Sequence, residues 1–297
     1  MSPLARGVAL SVLASVLFGA MYYLSALLAP LDGEQIFGWR MLLTVPLLAL
    51  FLRWGGDWQL VRATTLRLRH EPVLWLVLPA SALLLGVQLW LFLWAPPNGR
   101  ALEVSLGYFM LPLSMVLAGR WIYGERLSRL QQLAVACAGA GVLHELWRVG
   151  QFSWPAAVVV IGYPLYFVLR RRYRTDHLGG LWFDLLLMLP LAATFALSVD
   201  VSGIHAQRPL LGPLLLLLGC ISAGALVSYI LSSRLLPLGL FGLLGYVEPV
   251  LLVAVALLLG ERIAAGQAWT YGPIWLAVGL LLIEGLRRMS RPRTSGA

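Results

Sequence analysis

Ten long apolar runs follow one another through the 297 residues of this chain, each separated from the next by arginine, proline, glycine or a short acidic cluster. A run of about 20 apolar residues crosses the roughly 30 Å hydrocarbon core of a bilayer as one α-helix. Lipid offers a backbone no hydrogen bonds, so a chain of such runs has few alternatives to a helical bundle. The runs read as spans at residues 7–28, 34–53, 73–94, 102–122, 130–147, 154–170, 181–199, 209–232, 236–259 and 268–286. The stretch 209–259 is divided only around Arg234, but it is about twice the length of one span, so a tight hairpin is expected there. The expected fold class is an all-α polytopic membrane protein with ten transmembrane helices. Composition agrees: 60% of residues are hydrophobic, 12% are charged, and the mean hydropathy is +0.84, a balance suited to lipid as solvent. Little is left for an extramembrane domain. The first run follows Arg6 and could pass for a signal peptide, yet nine similar runs come after it, and it is read as a retained first helix.

The charge pattern tests that count. All 22 basic residues are arginine and the net charge is +9. A basic chain could bind nucleic acid, but these arginines sit at the ends of apolar runs rather than on one soluble face, which excludes that class. Arginines in short loops favour the cytoplasm. With the N-terminus inside, 17 arginines fall in inside segments and four outside (Arg100, Arg148, Arg208 and Arg262), with Arg40 within a span. Both termini are therefore expected in the cytoplasm, and arginine without lysine suggests a GC-rich bacterial genome, hence the inner membrane. Cys137 and Cys220 lie inside apolar runs and read as free thiols.

The chain also repeats itself. Leu106-Gly107-Tyr108, Pro112 and Gly124-Glu125-Arg126 return in the same order as Leu244-Gly245-Tyr246, Pro249 and Gly260-Glu261-Arg262. Each copy occupies the fourth span of a five-span half and the turn after it, giving one repeat at 7–147 and a second at 152–287. Five is odd, so the second copy must be inverted relative to the first, the arrangement of many secondary transporters. A weaker echo pairs Gly19 and Tyr22-Tyr23 with Gly162 and Tyr166-Phe167.

The stretch Glu103-Val104-Ser105-Leu106-Gly107-Tyr108-Phe109, then Pro112, Gly124-Glu125-Arg126 and Gln132-Leu133-Ala134-Val135, resembles the RarD branch of the EamA family, in the drug/metabolite transporter superfamily. Phe37-Gly38-Trp39-Arg40 resembles the family's arginine-bearing second span, Trp90 to Ala95 is a further match, and Gly245-Tyr246-Val247-Glu248-Pro249 is similar to its ninth-span motif. The resemblance covers nearly the whole chain, most specifically residues 85–143. It implies a ten-helix, 5+5 inverted fold with both termini inside, and export or exchange of small metabolites or drugs without ATP hydrolysis. One departure concerns Glu248: broader EamA members carry an acid there, whereas the RarD branch often lacks one.

Ionisable groups inside a span cost roughly 2.5–3.5 kcal/mol on insertion scales, so each one asks for a reason. Glu248 sits about 18 Å from the inner end of the ninth span, near the midplane. Pro249 after it and Gly242 and Gly245 before it point to an irregular helix with free carbonyls. It is read as a proton or cation site, against the alternative of a carboxylate satisfied by a neighbouring helix. Asp184, beside Trp182 and Phe183, is either a guard of the inner entrance or a salt-bridged end residue. Arg40 and Glu103 are placed to pair near the outer side, as a gate or as a brace. Gln88, between Trp90 and Trp94 on the third span, suits an amphipathic ligand. Tyr108 and Tyr246 hold equivalent places in the repeat and either face each other across the pseudo-two-fold axis or pack the helices. Glu125 and Glu261 read as structural residues of their turns, and Ala136 to Gly141 as a small-residue helix contact.

Function follows from what this pattern permits. A secondary transporter of a small molecule, embedded in lipid and driven by a proton or ion gradient, fits best; a passive facilitator or exchanger is the alternative. A membrane-embedded enzyme is a weaker one, because His70, His144, His177 and His205 are scattered and none of the common metalloprotease, magnesium-site or nucleophile motifs occurs. No phosphate-binding loop occurs, and no metal or cofactor is expected.

Overall fold

A computed structural model describes residues 2–28, 30–94, 101–150, 154–198 and 209–258, with scattered positions between 266 and 283. All regular structure among them is helical: α1 (Pro3–Leu27), α2 (Gly33–Trp54), α3 (Trp58–His70), α4 (Leu74–Trp94), α5 (Ala101–Tyr123), α6 (Arg129–Val149), α7 (Trp154–Arg172), α8 (Leu178–Ala196), α9 (Leu211–Leu235), α10 (Leu238–Leu244) and α11 (Val247–Leu258). Five of these, α1, α2, α4, α8 and α9, are long and apolar enough to cross a membrane. About half of each is buried, and the opposite faces present residues such as Leu76, Leu83 and Leu191 to the surroundings. A bundle that is apolar both inside and out is built for lipid.

Local chemistry fixes where helices begin. Ser2 accepts the Ala5 N–H at 3.2 Å and Pro3 takes the first turn of α1, a position that needs no amide donor. Asp32 with Gln35, and Ser128 with Gln131, form reciprocal capping boxes at the starts of α2 and α6. Gly150 ends α6 in the left-handed region at φ 74°.

Two segments differ from the simple reading. Residues 54–72, expected to be a connection, contain α3, whose buried Val61 and Thr64 share one face while Arg62 and Arg69 are exposed. This face packs on α8, with Trp58 edge-on to Trp182 at 5.5 Å, so α3 is an amphipathic helix of interfacial character. The small-residue stretch of α6 does not form one contact face: Ala138 is buried whereas Ala136 and Ala140 are exposed. The irregularity expected before Pro249 is present. The run 236–259 breaks at Gly245–Tyr246, where the Gly245 N–H is shared between the Phe241 and Gly242 carbonyls and Glu248 N–H reaches back to Gly245.

The bundle is organised by eight main helix pairings: α1 lies along α9, α2 on α8 and α9, α5 on α7 and α10, α4 on α7 and α8, and α1 on α11. Glycine sets the closest ones. A Cβ on Gly38 would lie 2.5 Å from the Ala196 nitrogen, and one on Gly107 2.9 Å from the Ala156 Cα. At one end several connections are tied together. Arg67 donates to the Tyr173 and Arg174 carbonyls, Arg171 to those of Ser233 and Leu236, and the Ser232 hydroxyl to Gly7. Glu125 joins the same group through the start of α10.

Candidate functional site

A cavity lies in the middle of the bundle, where α1, α2, α4, α5, α7, α8, α9 and α11 converge. Its walls are mainly aromatic and aliphatic, including Phe18, Phe92, Tyr108, Tyr163 and Tyr229, and it has two charged members, Arg40 and Glu248. Room for water centres amounts to ≈ 30 Å³, enough for about two waters. The space is thus narrow and mostly apolar.

Arg40 enters from α2 and is 1% exposed. Its Nε donates to Ser222 Oγ on α9 at 2.8 Å, and its backbone carbonyl accepts the Thr44 hydroxyl. Nη2 is buried without a hydrogen-bond partner. Glu248, the second residue of α11, is half-buried and reaches the cavity because the helix restarts at Val247. The two charges share the cavity, yet no ion pair joins them. Tyr108 and Tyr163 line it with their hydroxyls 3.5 Å apart, and Phe92 meets the Tyr108 ring edge-on at 5.7 Å.

Below the cavity a second polar cluster is fully enclosed. Asp184 accepts from the Ser81 hydroxyl, from Tyr166 Oη at 3.1 Å and from Arg170 Nη1 at 3.1 Å. Arg170 also donates to Tyr166 and to the carbonyls of Thr175 and His177. Each side chain of the pair is 1% exposed. Six further hydrogen bonds therefore accompany a buried ion pair, the condition under which such a pair is tolerated. Tyr166 belongs to both sites, since its ring also lines the cavity. His177 caps α8 in the turn outside the span, its Nδ1 accepting the Gly180 N–H at 3.2 Å. Burial, with Arg170 and Arg234 nearby, holds its imidazole down to about 4, so it is neutral and free to accept at physiological pH.

The sequence-derived candidates separate into groups. Glu248, Arg40 and Tyr108 meet at the cavity. Asp184 sits in the ion-pair cluster, one hydrogen bond from a cavity residue. Gln88 faces α7 instead, where Nε2 donates to the Val158 carbonyl at 3.0 Å and packs over Gly162. Tyr246 lies apart from Tyr108, buried with Phe109, Ala134, Ala138 and Leu243 and its hydroxyl unpartnered. The Glu103 side chain falls outside the described residues, and the partner seen for Arg40 is Ser222. Tyr163, Tyr229, Ser222 and Arg170 were missed. Mid-span position flags the tyrosines, whereas Arg170 looked like one of a solvated loop cluster. Among the described residues no three His, Cys, Asp or Glu side chains are grouped to hold a metal ion, and both cysteines are free thiols.

Comparison with known proteins gives this arrangement a family. Residues 5–144 match the EamA-like transporter family. The chain is 48% identical over 293 residues to the chloramphenicol-sensitive protein RarD of Pseudomonas aeruginosa, covering 98% of each. It is 40% identical to an uncharacterized transporter of Pasteurella multocida (96% of this chain, 98% of that one), and 27% identical to protein RarD of Escherichia coli K12 (96% and 97%). A solved crystal structure at 17% identity superposes with a TM-score of 0.66 over 96% of this chain and 99% of its own, which shows a shared fold. The fold, the apolar helices and these relatives identify a multi-pass membrane transporter of the drug/metabolite type, and the chain belongs to the RarD branch of the EamA family.

Proposed function

We propose that the protein is a secondary transporter that exports a small metabolite or drug across the bacterial inner membrane by alternating access. The carrying observation is the narrow central cavity with Arg40 and Glu248 on its wall. A lone carboxylate kept beside a narrow cavity at membrane depth suits a site where a proton or cation is exchanged for solute.

Ten spans in two inverted halves, 7–147 and 152–287, give the machine its symmetry. Let α1, α2, α4 and α5 correspond to α7, α8, α9 and α10–α11. Exchanging the halves then converts the α1–α9 pairing into α7–α4, α2–α9 into α8–α4, and α5–α7 into α11–α1. The α2–α8 and α5–α10 pairings map onto themselves, and every one of these pairings occurs. The ties among residues 7, 67, 125, 171 and 232–239 at one end agree with alternate connections and the N-terminus lying together there. That end carries the arginine-rich connections, so it is taken as cytoplasmic.

The test is uptake of a labelled metabolite panel into inverted vesicles containing the purified protein, with and without an imposed pH gradient. Accumulation above equilibrium that collapses with the gradient is expected, as is its loss in Glu248→Gln. Undiminished accumulation in that variant would remove Glu248 from coupling. Equilibration without accumulation would make the protein a facilitator or exchanger, and no movement of any solute would favour an embedded enzyme.

A further inference from the structure

We propose that the cavity takes a ligand with an aromatic or similarly apolar body and a single carboxylate, and that Arg40 anchors the carboxylate. This rests on the transport reading of the same cavity and names the chemistry of what it holds.

The argument starts from an unmet donor. A guanidinium presents five N–H donors in a rigid fork and stays charged at any physiological pH. Arg40 is 1% exposed, and its bond from Nε to Ser222 Oγ fixes the plane of the group. Nη2 is left buried, unpartnered and on a side chain that lines the cavity. Glu248 lines the same space but forms no ion pair with it. A buried cation in this condition is costly unless something supplies an acceptor. The remaining Nη edge of a guanidinium fits the two oxygens of a carboxylate, which it binds more strongly than a neutral acceptor.

The other walls narrow the choice. Arg40 is the sole cation among the described residues lining the cavity. When Glu248 holds the proton that the transport reading assigns it, Arg40 neutralises one ligand carboxylate, whereas a phosphate or dicarboxylate would keep a second charge uncompensated. A purely cationic ligand would leave Nη2 unpaired and, with Glu248 protonated, meet only the repulsion of Arg40. Phe18, Phe92, Tyr108, Tyr163 and Tyr229 offer ring faces and edges to the rest of the molecule. Since the cavity has room for about two waters, a ligand of this size enters when the surrounding helices move apart, and its carboxylate then meets Nη2 of Arg40.

The test holds the body constant and changes the charge. Protein in nanodiscs is titrated with phenylacetate, 2-phenylacetamide and phenethylamine, with protein-free nanodiscs subtracting partition into lipid. Saturable binding of phenylacetate at least tenfold tighter than the amide is expected, with phenethylamine weaker still. Arg40→Gln should abolish that preference, while the charge series on the unaltered protein stands even if Arg40→Gln does not fold. Equal binding of the amide or tighter binding of the amine would overturn the proposal, as would an anion preference that survives in folded Arg40→Gln. No saturable binding of any of the three, in protein that accumulates solute in vesicles, would also overturn the anchor and leave transport standing. Arg40-dependent binding in protein that moves no solute would support the anchor and remove the transport reading.

Discussion

The Glu125 carboxylate accepts the Leu238 N–H at 2.6 Å and, through its second oxygen, the neighbouring Gly239 N–H at 2.7 Å. A turn between α5 and α6 thereby caps the helix that opens the run carrying Glu248. Arg171 stands 4.0 Å from the same carboxylate and itself holds the Ser233 and Leu236 carbonyls. One acidic side chain thus ties the α5–α6 turn to the start of α10, and in the proposed transport cycle opening that end would require this tie to release.

Removing the cap should favour the open end. Glu125→Ala exposes two α10 amides that lose their acceptor, at a cost of about 1–2 kcal/mol. In a background without Cys137 and Cys220, maleimide labelling of a cysteine at buried Ser233 is expected to quicken about threefold or more on that substitution. Glu125→Gln, which keeps one acceptor oxygen, should fall between. Unchanged labelling in Glu125→Ala would mean that the cap does not restrain the opening.

The Asp184–Arg170 pair makes a different demand. Breaking a buried pair from one side strands a charge, which typically costs about 3–5 kcal/mol. Asp184→Ala is expected to lower the thermal midpoint of the purified protein more than any other single substitution at this cluster. Ser81→Ala removes one hydrogen bond to Asp184 and should cost about 1 kcal/mol. A stability for Asp184→Ala close to that of Ser81→Ala would mean that Arg170 is satisfied by the Thr175 and His177 carbonyls alone.

Much of this architecture was legible because lipid leaves a chain few choices. Apolar length gave α2, α4, α5 and α6 to within about two residues, and Gly242, Gly245 and Pro249 announced the break before Glu248. The repeat held more than was drawn from it. Leu111 precedes Pro112 as Glu248 precedes Pro249, and both residues line the cavity. What periodicity cannot carry is direction around a helix hydrophobic on all sides. Gln88 sits on such a helix and Tyr246 in the break between two, and only packing turned Gln88 to Val158 and Tyr246 into the core beside α6. Arg170 was hidden for a related reason. It adjoins Arg171 and Arg172 in sequence, but the α7–α8 turn folds back over it and supplies two carbonyls.

His177 predicts how stability responds to acid. Its folded value lies near 4, below the ordinary imidazole value of about 6.5, because burial comes first and Arg170, Arg234 and Arg67 oppose a charge, with Asp176 acting the other way. The unfolded chain therefore binds the proton first as pH falls. Its contribution is fully present above about pH 6.5 and is lost progressively toward pH 4. The thermal midpoint should decline across that window. His177→Asn, a residue that caps a helix without titrating, should flatten the decline while leaving the midpoint at pH 7.5 nearly unchanged. An equally steep decline in the variant would assign the acid sensitivity to other groups.

The α2–α8 crossing is set by backbone, not by adjustable side chains. A Cβ at Gly38 would lie 2.5 Å from the Ala196 nitrogen, 2.6 Å from the Ala192 carbonyl oxygen and 3.0 Å from the Ala196 Cα. No rotamer change relieves such a contact, so the helices must move apart, and overpacking of this kind costs about 1–3 kcal/mol. At Gly19 the added methyl would meet only the Leu251 Cβ at 3.5 Å, an ordinary distance, and helix propensity there favours alanine by about 0.5–1 kcal/mol. Gly38→Ala should lower the thermal midpoint and Gly19→Ala should hold or raise it, although both change the same atoms inside a helix. Because α2 carries Arg40 to the cavity, Gly38→Ala should also weaken phenylacetate binding in the nanodisc titration. A Gly38→Ala protein as stable as the unaltered chain, with binding intact, would show that the crossing can widen without moving Arg40.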